Sequence, residues 1–105
     1  MLEPRLVGEG PIADVVVVRV HCAGRDGGRP VRAEVDLMTF HDPETGLTAM
    51  QRCTGFDAAI VAAMAARGEI EPGVSVRERS VDPERYVEEL ARRGIEVERR
   101  RVPLE

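Results

Sequence analysis

The chain has 105 residues, 43% hydrophobic and 32% charged, with only 3% aromatic and no Trp. That length and composition indicate one soluble domain with an aliphatic core. A net charge of -4 argues against a nucleic-acid partner, which needs a basic face.

Residues 1–13, with Gly8, Gly10 and Pro11 close together, read as an irregular lead-in to a single α+β domain over residues 14–102. "GEGPIA", Gly8 to Ala13, has the letters of a dinucleotide fingerprint. Its context is wrong, because that motif opens a helix and here a Val-rich stretch follows. "DVVVVRVHC", Asp14 to Cys22, reads as a strand with Val16, Val18, Val20 and Cys22 on one face. Asp26-Gly27 marks a hairpin turn. "VRAEVDLMTF" alternates as a second, antiparallel strand: Val31, Ala33, Val35 and Leu37 toward the core, Arg32, Glu34 and Asp36 outward. Arg19 is expected across from Glu34 or Asp36.

Thr48 and Gln51 have the spacing of a capping box, so a helix is expected from Ala49 to Arg67, closed by Gly68. Met50, Cys53, Phe56, Ile60, Ala63 and Met64 form its apolar stripe. Val74 and Val76 suggest a short strand. Asp82-Pro83 starts a second helix to about Arg93 that buries Val87, Leu90 and Ala91 and stops at Gly94. Ile95 and Val97 open a last strand. The expected fold is α+β: a small, mostly antiparallel sheet with two helices on one face, in the order strand-strand-helix-short strand-helix-strand.

No catalytic or metal-ligating residue is assigned. His21, Cys22, His41 and Cys53 lack metal-ligand spacing, and His21 and Cys22 are neighbours on a strand, so they point to opposite faces. Cys53 lies early in a helix, where a thiol pKa can fall, but its place on the apolar stripe favours core packing. Asp42, Glu44, Glu69 and Glu71 read as solvated carboxylates. With no apolar run near the ~20 residues a bilayer span needs, no leader pattern and two unpaired cysteines, a cytoplasmic setting without membrane association is expected.

Gly55 is the anomaly of the first helix, because glycine in a helix interior costs about 1 kcal/mol relative to alanine. Beside Thr54, it suggests that a strand, a second subunit or a substrate comes close there.

"GLTAMQRCTGFDAAIVAAMAARGEIEPGV" followed by "DPERYVEELARRGIEV" resembles the C-terminal part of the saccharopine dehydrogenase family, its lysine 6-dehydrogenase-like members above all. Gly46, Thr48, Met50, Arg52, Thr54, Gly55, Phe56, Gly68, Ile70, Gly73, Val74, Leu90, Gly94 and Ile95 carry the likeness, which spans residues 14–98. Cys53 departs from a usual Thr, and Val76-Arg77-Glu78 from a frequent Pro-Glu pair. The resemblance implies a substrate or dimerisation domain of an NAD(P)-dependent oxidoreductase acting on lysine or a lysine conjugate. A domain without its Rossmann partner leaves surface uncovered and its sheet keeps an open edge, so a homodimer through the sheet or the first helix is expected; Arg52, Thr54, Gly55 and Phe56 are the candidates to face substrate or an interface. The NAD(P) cofactor is expected only in a full-length parent, bound by a Rossmann domain this chain lacks, so the chain is inactive alone. The alternative is a stand-alone binding or oligomerisation module.

Overall fold

The computed structural model describes residues 10–104. After an irregular lead-in, β1 (Val15–Asp26) and β2 (Arg29–Phe40) form a hairpin twelve residues long on each side. Its loop is Gly27-Gly28, both at positive φ (58° and 82°), the pair of left-handed residues a tight hairpin turn requires. Helix α1 (Ala49–Ala66), the single turn α2 (Arg77–Ser80) and helix α3 (Pro83–Arg92) follow, and β3 (Val97–Pro103) returns to pair with β2. The sheet order is β1-β2-β3, antiparallel throughout. This is the expected small α+β fold, an open sheet with helices on one face.

The core sits between the helices and the β2–β3 half of the sheet. Ile60 and Met64 of α1, Leu90 of α3 and Ile95 are buried together, with Leu37, Val97, Phe56 and Cys53 packed around them. The capping box of α1 forms as expected: Thr48 Oγ1 accepts from the Gln51 N–H, and Gln51 Oε1 accepts from the Thr48 N–H. Asp82 caps α3, accepting from the Glu84 N–H at 3.1 Å, with Pro83 at the first helical position.

Several expectations are corrected. Val74 and Val76 find no partner strand among the described residues. They lie exposed in a connection that leads into α2. Met50 and Ala91 are exposed rather than core. Ile95 is buried but precedes β3, which starts at Val97. The hairpin outruns the helices, so of Val16, Val18, Val20 and Cys22 only Val16 is even half-buried, and Ala33 is exposed. The extended hairpin accounts for a radius of gyration of 17.7 Å, against roughly 13 Å for a compact chain of this length.

Glu34 is the sharpest correction. Alternation places it on the face away from the helices, as expected, yet it is only 7% exposed. Arg32 and Arg100 cover its carboxylate at 2.7 and 2.9 Å. Arg19 pairs with Asp36 at 2.7 Å, as the register allows. A second hub is Glu89 on α3, buried beneath Arg85 and Arg93 at 2.8 Å, Arg92 at 3.0 Å and Arg67 at 3.6 Å. Its bond from Arg93 outweighs its desolvation and holds its carboxyl below the usual range. The Arg32 bond does the same for Glu34, and the Arg19 bond for Asp36.

A carboxylate whose pKa is lower in the folded state stabilises fully above its unfolded value, about 4, and less as pH falls through the folded value. The urea midpoint is therefore expected to hold between pH 7 and 5 and drop steeply below about pH 4. A midpoint as high at pH 3 as at pH 7 would contradict the ion-pair account.

Candidate interaction site on helix α1

The start of α1 is anchored from a distance. Asp14 Oδ1 accepts from the Ala49 N–H at 2.6 Å and Oδ2 from the Met50 N–H at 3.0 Å. Desolvation opposes the charged form, but these backbone donors prevail and keep the Asp14 carboxyl low. A negative group at a helix N-terminus is also favoured by the dipole. The two orphan amides the capping box leaves open are thus served by a residue before β1, which fixes the hairpin against α1.

The four sequence-derived site residues divide on this helix. Arg52 points inward. Its Nη1 donates to Thr39 Oγ1 and to the Phe40 carbonyl, both at 2.8 Å, and its Nη2 donates to the Arg93 carbonyl at 3.2 Å. The guanidinium also sits 5.8 Å from the centroid of the half-buried Phe56 ring, which packs on the core. Thr54 and Gly55 are exposed.

A Cβ placed at Gly55 would meet nothing within 4 Å. Among the described residues no strand comes close there, which removes one of the reasons expected for the glycine. In the isolated chain Gly55→Ala is expected to raise stability by about 0.4–1 kcal/mol, read from denaturant melts. A loss of stability would mean that a second molecule packs on Gly55.

The exposed side of α1 continues with Ala58, Ala59, Ala62, Ala65 and Ala66. Ala58, Val61, Ala62 and Ala65 floor a groove of about 520 Å³ closed by Ile70 and Val81. At its end stands a cluster with no local sequence signal. Arg77 and Asp57 are bidentate, with one bond at 2.7 Å, and the Tyr86 hydroxyl donates to Asp57 Oδ1. Arg77 stacks 4.9 Å from the Tyr86 ring centroid. The Arg77 bond outweighs desolvation and lowers the Asp57 carboxyl, while burial foremost raises the Tyr86 hydroxyl. All three groups therefore keep their charge states near neutrality. The cluster pins α2 and α3 to α1 and supplies no free acid or base. Its members are 20 and 29 residues from Asp57 in the chain, so neither helical nor strand periodicity could have found it.

The remaining candidates stay apart. Cys53 is half-buried, and burial pushes its thiol up, with Arg52 opposing; a thiolate there is disfavoured. Cys22 is exposed near the far end of the hairpin, not a core residue. Among the described residues no three His, Cys, Asp or Glu side chains converge as a metal site would require, and no helix is long and apolar enough to cross a membrane. Gly8 and Glu9 lie outside the described residues; Gly10 to Ala13 run irregularly into β1.

No solved structure matches the chain. A family profile described as Saccharopine dehydrogenase C-terminal domain matches residues 1–95. With nine-tenths of its length covered by that profile and an α+β fold in agreement with the sequence likeness, the chain belongs to the saccharopine dehydrogenase C-terminal domain family.

Proposed function

We propose that this chain is the substrate-side and self-associating domain of an NAD(P)-dependent oxidoreductase acting on lysine or a lysine conjugate, and that it transfers no hydride by itself. Family membership carries the reading. The described residues do not fit a nicotinamide dinucleotide. Such cofactors sit where a glycine-rich turn leads from a parallel strand into a helix. Here every strand pair is antiparallel, and Gly10 to Ala13 lead into a strand. The cofactor belongs to another domain of the assembly, a Rossmann domain in the parent enzyme. Two free cysteines suit a reducing, cytoplasmic compartment. Arg52 then acts by holding the domain together, and Thr54 and Gly55 present the exposed surface of α1.

Isothermal titration of the chain with NAD(H) and NADP(H) is expected to show no binding. Micromolar affinity for either would overturn the reading. Self-association is expected to appear in light scattering as a homodimer. The second reading, a stand-alone oligomerisation module, is favoured by one observation, the long edge of β1 that no strand pairs among the described residues. A Rossmann-coding segment upstream in the same gene would decide for the first.

A further inference from the structure

The two edges of the sheet differ. β3 is seven residues long, ends on Pro103, and carries Arg99, Arg100 and Arg101, which are ion-paired to Glu84, Glu34 and Asp26. Charge and proline are how proteins keep an edge from pairing. β1 is twelve residues long, without proline and in unbroken register with β2. Its valines are exposed on both faces: Val15 at 52% and Val17 at 59% on the outer face, Val18 at 45% and Val20 at 52% on the helix face.

The bond from the His41 N–H to the Asp14 carbonyl fixes which backbone groups are free. By the alternation of an antiparallel ladder, Asp14, Val16, Val18 and Val20 turn their amides toward β2. Val15, Val17, Arg19 and His21 turn theirs to the open edge.

We propose that this edge pairs antiparallel with β1 of a second copy of the chain, about a two-fold axis through Val18, joining two three-stranded sheets into one of six strands. The proposal rests on the self-association read above and names its interface. The occupant follows from pattern. A strand that covers the helix-face valines must itself be apolar on that face: among the described strands β1 offers Val16, Val18, Val20 and Cys22 there, β3 offers Arg99 and Arg101, and β2 is already paired on both edges.

The register follows from charge. A two-fold axis normal to the sheet keeps like faces together. Centring it on Arg19 would set two arginines directly opposite, which is destabilising. Centring it on Val18 sets Val18 against its own copy, Val16 against the second copy's Val20, and Val17 against the second copy's Arg19. Each Arg19 keeps its own Asp36. The outward amides of Val17 and Arg19 then bond across the interface, and the Val18 pair is of the close, non-hydrogen-bonded kind.

Light scattering on the full chain is expected to give twice 11.6 kDa. Val17→Pro is expected to give a monomer with an unchanged far-UV spectrum, because the Val17 N–H points away from β2 and proline is tolerated at an edge. Val17→Lys, which keeps that N–H, is expected to weaken the dimer at least tenfold and guards against a proline variant that fails to fold. In a Cys22→Ser background, Val18→Cys is expected to form a disulfide-linked dimer on mild oxidation, since Cα atoms of such a pair lie roughly 4.5 Å apart. A dimer that survives both Val17 variants while Val18→Cys stays unlinked overturns the β1 interface and leaves self-association standing. A wild-type chain that is monomeric at high micromolar concentration overturns both.

Discussion

Ile60→Ala is expected to lower the stability of the chain by roughly 2–5 kcal/mol, with a fall in urea midpoint at an unchanged slope. The side chain is completely buried and lies at the meeting point of α1, α3 and the sheet, against Met64, Leu90 and Ile95. Removing its outer carbons forfeits their burial and leaves a void that the surroundings only partly fill. Relaxation is restricted because α1 is fixed at both ends: at its start by Thr48 and Asp14, and at its close by the turn through Gly68. The fully buried large side chains are Ile60, Met64 and Ile95, so little else compensates. Domains are stable by about 5–15 kcal/mol in total, and this one substitution would remove a large share. Ile60→Val deletes a single carbon and is expected to lose only about 0.5–1.5 kcal/mol. Equal effects from the two variants would mean that the loss does not scale with the void, and the packing account would fail.

Local signals in the sequence mapped onto structure with little loss. Thr48 with Gln51, Asp82 with Pro83, and the glycines at 68 and 94 act within one helical turn, so the chemistry that caps or stops a helix is readable without knowing the fold. Strand alternation was readable too, but it reports which residues share a face and not what covers that face. Val18 and Val20 are on the helix side and still exposed, because the helices reach only part of the hairpin. Glu34 is on the open side and still buried, because the arginines beside it form a lid. Val74 and Val76 had the spacing of a strand and, among the described residues, no partner to pair with. The features that tie the elements together were not legible at all. Asp14 caps a helix 35 residues away, and Arg77 meets Asp57 across 20 residues. Of the four site residues read from the sequence, Thr54 and Gly55 do lie on an open surface, whereas Arg52 and Phe56 turn inward. Sequence spacing put all four near one helix start and could not resolve its two sides.

Arg52→Ala is expected to lower stability by about 2–4 kcal/mol, the effect of leaving partly buried acceptors without a charged donor. The guanidinium joins three elements at once: α1 itself, the end of β2 through Thr39 and Phe40, and the end of α3 through the Arg93 carbonyl. Thr39 is buried, so its hydroxyl has little water to turn to when the arginine is removed. The Arg93 carbonyl lies in the turn that Gly94 closes at φ +79°, and a Cβ on Gly94 would stand 3.4 Å from Arg52 Nη2. The turn thus lies in contact with the guanidinium, and Gly94→Ala is disfavoured by its backbone angle. Arg52→Lys tests geometry against charge. A lysine ammonium is a compact donor on a flexible stem and lacks the planar fork that reaches acceptors in two directions. It is expected to recover less than half of the loss. Thermal melts of the three proteins would separate the roles. An Arg52→Ala chain as stable as wild type would mean that the arginine is free to serve a ligand; a destabilised one that lysine fails to rescue identifies it as the clamp between helices and sheet.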